Sequence, residues 1–386
     1  MPPSLSTGRE VSAVRTQLRF DKRPLLVFWE TTKACALKCQ HCRATAVPSA
    51  LPGELTTVEG RHLLEQVAGF GRPSPILVMT GGDCLARPDL LELTAYAREL
   101  GLVVALSPSV SPRLRPDTML PYYEMGVRSV SVSLDGASPL VHDGIRGVPG
   151  HHQQTLSAIG WLRDLGFKVQ VNTTVMRQNA DELADVAALL LRHGVSIWEV
   201  FFLVGVGRGT AVSALPAAEN EDVCHFLYDA SHHRFVVRTV EAPFFRRVVQ
   251  ARRDAGQSVP EPITPLGRHL GSRLLEVVGP PEVRPRAQGF GTRDGMGVLF
   301  VGHDGSVLPS GFLPLPLGNV RQTPLAAIYR NHPVLRAIRR ADFHGRCGSC
   351  SHRHICGGSR ARAYAGNGDP LGEDPGCAYQ PADWPT

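Results

Sequence analysis

Apolar residues recur along the first half of the chain in short runs separated by helical spacings. The runs are 25–31 (LLVFWET), 75–80 (PILVMT), 101–107 (GLVVALS), 127–134 (VRSVSVSL), 167–175 (FKVQVNTTV) and 195–204 (VSIWEVFFLV). Each has the length of a buried strand, and the segments between them carry the apolar repeat of amphipathic helices. Thr56 and Glu59 make a capping box ahead of VEGRHLLEQVAGF. Six strand–helix units in series predict an α/β fold, a parallel sheet wound with right-handed crossovers.

The unusual residues fall at one end of these strands. The loop with Cys35, Cys39 and Cys42 follows the first, and Gly81-Gly82-Asp83 follows the second. Ser107 and Ser109 follow the third, Ser133 closes the fourth, Asn172 lies late in the fifth, and a glycine run, 205–209, follows the sixth. Parallel barrels place their chemistry at the carboxyl ends of their strands. The expected architecture is therefore a partial (β/α)6 TIM-like barrel with its active site on that rim.

Beyond about residue 215 the pattern turns helical and arginine-rich, and 279–287 reads as a linker. From about 291 a β-rich piece, GVLFVGHDGSVLPSGFLP, has Asp304-Gly305 as its hairpin turn. The expected organisation is a flexible N-terminal arm (1–22), the barrel (23–215), a helical bridge with linker (216–290) and a small cysteine-rich α+β domain (291–386).

At 386 residues and 43% hydrophobic content, the chain can bury a core in a large domain plus a smaller one. The net charge of +6 comes almost wholly from arginine, the lysines being Lys22, Lys33, Lys38 and Lys168. Arginine-biased codon usage or a basic pocket for an acidic substrate would each give that composition; no nucleic-acid partner is expected. No apolar stretch reaches the ~18 residues of a membrane span, and the N-terminus lacks the apolar core of a secretory signal. A cytoplasmic protein without a membrane partner is expected. There cysteines stay reduced, and clusters of them point to metals.

Three of the nine cysteines have the spacing Cys35-x3-Cys39-x2-Cys42. Thiolates hold iron–sulfur clusters, usually one for each of four irons, so three leave one iron open for chemistry. Zinc completed by His41 or a distant ligand is the alternative, although closed zinc sites more often pair C-x2-C knuckles. Placed after a first strand, this motif resembles that of the radical S-adenosylmethionine superfamily. The resemblance implies a 4Fe–4S cluster whose open iron is chelated by S-adenosylmethionine. One electron would break the sulfonium C–S bond and release a 5′-deoxyadenosyl radical that abstracts a substrate hydrogen.

The same resemblance gives roles to the rim. Gly81-Gly82-Asp83 is similar to the family's GGE turn, which binds the methionine amino group; Asp replaces Glu, and Cys84 stands where proline is usual. Ser133 and Arg146 match positions that bind the methionine carboxylate, and Ser107, Ser109 and Asn172 match ribose-contacting ones. The run beginning at Gly205 is expected to line the adenine, and His41 to pack near it as a ring.

Cys347-x2-Cys350-x5-Cys356-x20-Cys377 supplies four further thiols, which suit structural zinc or a second cluster equally. Beside the first motif, CGGSRARAYAGNGDPLGEDPGCAY resembles the auxiliary-cluster region of the SPASM/twitch subgroup, especially its haem-pathway and pyrroloquinoline-quinone members. That implies a fully ligated 4Fe–4S cluster suited to electron transfer. Full SPASM domains carry a further cluster, but Ser310 and Arg360 occupy cysteine positions here, so two clusters in total are expected. Cys224 reads as a buried small hydrophobe, and Cys84 as a candidate for a role beside the cofactor turn.

For the substrate, Arg246, Arg247, Arg252 and Arg253 are candidates to hold propionate carboxylates, with a solvated helix face as the plainer reading. His151-His152 and His232-His233 are candidates to touch a haem iron, though paired surface histidines are commoner. The resemblance leaves two enzymes open: a tetrapyrrole-modifying one, removing propionate groups oxidatively, and a maturase crosslinking a ribosomal peptide. The ~22-residue arm is too short for the leader-binding domain usual in the latter. Either needs an electron donor such as flavodoxin or ferredoxin. A non-enzymatic metal-binding protein is the rival from another class.

Overall fold

The computed structural model describes residues 19–254, 261–287, 291–382 and 384. The arm's first 18 residues lie outside that set. Six parallel strands run in sequential order, β1 (Leu26–Glu30), β2 (Ile76–Thr80), β3 (Val103–Leu106), β4 (Ser129–Ser133), β5 (Lys168–Val175) and β6 (Ile197–Phe202), with helices in the connections. The capping box forms as expected: the Thr56 hydroxyl accepts from the Glu59 N–H, and the Glu59 carboxylate accepts from the Thr56 N–H.

The sheet extends beyond these six on both sides. A seventh parallel strand, β7 (Val236–Val240), pairs with β6 from within the stretch 216–290 that reads as helical. Its five residues include Arg238, which sits opposite Glu199 and turns into the barrel, so the apolar run is too short and broken to signal a strand. On the other side β8 (Val298–Val301) pairs in parallel with β1, and an antiparallel ribbon of β9 (Ser306–Leu308) and β10 (Gly318–Asn319) completes an open ten-stranded sheet. The hairpin of the cysteine-rich region is thus continuous with the barrel.

The core lies between the sheet and its outer helices. Trp29 and Trp198 are fully buried, and Trp198 donates to the Thr173 hydroxyl, which donates in turn to the Leu134 carbonyl. A Cβ on Gly60 would come within 2.9 Å of the Trp29 ring, so helix Thr57–Ala68 lies close against β1. No described helix is long and apolar enough to cross a membrane.

Because β8 is a strand of the barrel sheet, Leu299, fully buried opposite Val27, should hold both regions together. Leu299→Ala should cost about 2–5 kcal/mol. The expected thermal melt shifts down as one transition; splitting into two would show that the regions fold separately.

Candidate active site

The loop after β1 carries Cys35, Cys39 and Cys42 to the wall of one cavity of about 700 Å³ that runs down into the open barrel. The Cys35 N–H donates to the Val47 carbonyl, and the Leu37 N–H to the Cys35 sulfur at 3.4 Å. Arg208 clamps the loop from the far side of the barrel. Its main-chain N–H donates to the Cys42 carbonyl, Nε to the Cys39 carbonyl at 2.9 Å and Nη1 to the Ala46 carbonyl at 3.1 Å. Gly207, at φ 55°, lies so near that a Cβ would sit 2.4 Å from the Arg43 carbonyl oxygen. The glycine run therefore braces the cysteine loop. Gly205, expected at the adenine, is exposed and lies off the cavity wall, whereas Val204 and Arg208 line it. Arg208 was hidden in the sequence among the glycines.

Gly81 and Gly82 line the cavity, and their missing side chains serve backbone packing. A Cβ at Gly81 would fall 2.5 Å from the Thr32 carbonyl oxygen, and one at Gly82 2.6 Å from those of Lys33 and Ala34. Asp83, the third residue of the turn, lies off the cavity wall. Its buried carboxylate accepts from the Ser111 hydroxyl at 2.7 Å and from the N–H groups of Leu85 and Ser109 at 3.2 Å. The short side chain closes onto its own turn and the next loop, as aspartate does in Asx-turns. Ser107 and Ser109 do line the cavity, and the Ser109 hydroxyl donates to the Gly82 carbonyl at 2.9 Å.

Ser133, Arg146 and Asn172 also reach the cavity. Arg146 is already engaged: Nη2 lies 2.5 Å from the Asp135 carboxylate and Nη1 donates to the Cys39 sulfur at 3.6 Å. Burial alone would raise the Asp135 pKa, but Arg146, then His41 and His142, outweigh it and hold the carboxyl below its ordinary value. His41 lines the cavity 3.5 Å from Asp135, and burial foremost pushes its pKa down to about 4. Asn172 accepts from Gln170, which also donates to Glu199, a carboxyl whose pKa burial raises.

Behind Asp135 stands a histidine chain that the sequence did not signal. The Asp135 N–H donates to His142 Nδ1 at 3.0 Å, so the His142 proton is on Nε2 and goes to His151 Nδ1 at 2.8 Å. His151 Nε2 then donates to the Val110 carbonyl at 2.9 Å. Both rings are buried and neutral, with pKa values lowered, first by burial, to about 2 for His142 and about 4 for His151. The chain ties the loop after β4 to the loop after β3.

Among the buried polar atoms without a partner are His41 Nδ1, Arg146 Nε and Arg208 Nη2, all on residues of the cavity wall around the thiols. Two guanidinium donors beside three sulfurs suit a cluster together with a carboxylate-bearing ligand. The residues present fit the implied group.

The second set converges too. Cys347, Cys350, Cys356 and Cys377 border one small cavity, with Arg247, His352 and Asp374 beside them. Gly358 borders both this cavity and the large one, so a single backbone segment separates them. Ser310, in place of a cysteine, faces the large cavity. Arg360, the other replacement, is fully buried with Nη2 3.6 Å from the Cys347 sulfur.

Of the candidate carboxylate-binding arginines, only Arg246 lines the large cavity. Arg247 pairs with Glu221 beside the second thiol set, Arg252 pairs with Asp229 over the Tyr228 ring, and Arg253 is exposed. A helix aims its residues in different directions, so adjacent arginines cannot share one target. His151, His152 and His233 are buried rather than on the surface. His232 is half-buried against the Val283 carbonyl. Cys84 and Cys224 are fully buried, which pushes both thiols well up in pKa and leaves neither reactive.

Sheet, thiol loop and rim together define an enzyme of the radical SAM class, and the chain belongs to that superfamily. Residues 29–190 match the Radical SAM superfamily and 294–351 an iron-sulfur cluster-binding domain, SPASM. Its cofactors are iron–sulfur clusters and S-adenosylmethionine. The chain is 36% identical to a protein of Nitratidesulfovibrio vulgaris named AdoMet-dependent heme synthase, over 92% of each chain. It is 35% identical to one of the same name from Methanosarcina barkeri, over 93% and 97%. A pre-heme d1 synthase of Dinoroseobacter shibae is 30% identical over 94% and 88%. In fold it resembles Streptococcus suis SuiB bound to S-adenosylmethionine, with TM-score 0.66, 14% identity and coverage of 93% of this chain and 78% of that one.

If the glycine run braces the thiols, Gly207→Ala should lower iron incorporation at the N-terminal set several-fold, read by anaerobic iron analysis. Gly205→Ala, with nothing within 4 Å of its Cβ, should leave it unchanged. The buried neutral histidines make a second expectation. Their folded pKa values lie below the ordinary 6.5, so the unfolded chain binds more protons at acid pH. Their contribution is full above pH 6.5 and lost as pH falls through about 4 for His41 and His151. Melting temperature should drop across that window, and less steeply in His142→Asn.

Proposed function

We propose that this radical enzyme acts on a tetrapyrrole bearing propionate groups and removes their carboxyls oxidatively as carbon dioxide, in haem-type biosynthesis. The observation that carries this reading is the charge of the cavity. Arg43, Arg146, Arg208, Arg238, Arg246, Arg293 and Lys168 line it against three acids, Glu199, Glu241 and Asp294. Carboxylate groups are drawn to such a surface. Phe28, Phe201, Phe300 and Phe312 give the same cavity flat apolar walls suited to a macrocycle. Full-length similarity to proteins named heme synthases supports the same substrate class.

When bound, the N-terminal cluster and S-adenosylmethionine supply a carbon radical that takes a hydrogen atom from the substrate. The chain's residues hold the reactants. Arg208, Gly207 and Gly82 set the thiol loop, and Asp135 fixes the Arg146 guanidinium beside it. Arg43 lies over the Phe300 ring at 4.5 Å, where it meets both the aromatic wall and the cavity. Loss of a hydrogen atom and carbon dioxide from a propionate carboxylate leaves a vinyl group and one electron, so an acceptor is needed. The four-thiol site, which shares the Gly358 segment with the cavity, would serve as that acceptor. A low-potential donor of the flavodoxin or ferredoxin kind would start each cycle.

The test is anaerobic incubation of reconstituted enzyme with S-adenosylmethionine, reductant and iron-coproporphyrin III. Formation of 5′-deoxyadenosine together with vinyl-bearing porphyrin and carbon dioxide is expected. Arg43→Ala should raise KM at least tenfold. Deoxyadenosine formed with the porphyrin bound but unchanged would sink the substrate assignment. Loss of deoxyadenosine in Cys35→Ala, but not in Cys347→Ala, is the matching result for the two thiol sets.

A further inference from the structure

Arg360 stands where a SPASM domain carries another cysteine, and its surroundings are unusual for a guanidinium. It is completely buried. Nε donates to the Gly358 carbonyl at 3.2 Å, and Nη1 to the carbonyls of Gly372 at 2.6 Å and Pro370 at 3.2 Å. Nη2 donates to the Cys347 sulfur at 3.6 Å, and the carbon of the guanidinium lies 4.4 Å from the centre of the Phe343 ring. Its donors thus meet carbonyls and a sulfur, whereas the neighbouring Arg362 is spent on Asp374 and Arg346 on Glu373. Among the described residues no carboxylate hydrogen-bonds Arg360, and its one contact with a chemically active group is the Cys347 sulfur.

We propose that Arg360 raises the reduction potential of the auxiliary cluster and so makes that site the sink for the electron left in the substrate cavity. Reduction adds negative charge to a cluster, and a fixed cation 3.6 Å from one ligand sulfur stabilises the added charge. Burial strengthens the effect because little water screens it. The Gly358 N–H, donating to the Cys356 sulfur at 3.4 Å, acts in the same direction. Gly358 is also the segment shared by the two cavities, so the tuned site borders the place where the electron arises. The shift in potential rests on the auxiliary cluster alone; the use of that site as the electron's sink rests on the proposed function.

The experiment uses the full-length chain with Cys35, Cys39 and Cys42 replaced by alanine, so that only the auxiliary set holds a cluster. After anaerobic reconstitution, iron and sulfide content establish assembly, and a potentiometric titration followed by EPR gives the midpoint. Arg360→Met and Arg360→Gln should disfavour reduction at least tenfold, a downward shift of about 59 mV for one electron. Arg360→Lys, which keeps the charge, should stay within threefold of the parent. Neutral variants that retain iron and titrate within threefold of the parent overturn the proposal. So does a lysine variant displaced as far as the glutamine one. If Arg360→Met fails to assemble, Arg360→Gln decides; loss of iron from both neutral variants makes Arg360 a scaffold and overturns it. Zinc found at this site in the parent would overturn the cluster assignment along with it.

Discussion

The grip of two glycine turns on the backbone of the cysteine loop is the constraint on which the rest depends. Three thiols can share one cluster only if the loop that bears them holds them facing one space. Gly81 and Gly82, at the end of β2, lie against the carbonyls of Thr32, Lys33 and Ala34, and Gly207, after β6, lies against those of Cys42 and Arg43. No other residue permits approaches of about 2.5 Å at the Cβ position. Arg208 then donates to the carbonyls of Cys39 and Ala46 in the same loop. A rigid loop with its own polar groups satisfied keeps its thiols, and the unpartnered donors around them, for the cofactor.

From that loop outward, the site is built by coupling loops to one another. Asp83 joins the turn after β2 to the loop after β3, and the two histidines join the latter to the loop after β4. Asp135 joins that loop to the helix bearing Arg146. Each link is buried, so each polar group depends on the partner it has. The rim therefore acts as one connected ring, with its charges set by pairs.

The auxiliary region is an extension of this body. Its first strand lies beside β1 in the same sheet, its Ser310–Phe312 segment walls the large cavity, and Gly358 separates the two thiol-lined spaces. The excess of arginine in the composition finds its meaning unevenly: some guanidiniums face the cavity, while others are consumed by carboxylates, carbonyls and rings.

What the sequence alone determined were the features written into contiguous residues. Six strands were legible because each is a short apolar run between helical repeats, the first thiol set because its three cysteines share one loop, and the second because three of its four cysteines lie within ten residues. The capping box at Thr56 was legible for the same reason. Tertiary structure decided everything that depends on direction. Asp83 turned into the protein because its short carboxylate met three donors there. Strand β7 formed because β6 offered an edge and Arg238 could face Glu199 across it. Of four neighbouring arginines only one reached the cavity, since a helix spreads successive side chains around its axis. Spacing records which residues travel together; which way each one faces is settled only when distant segments supply its partners.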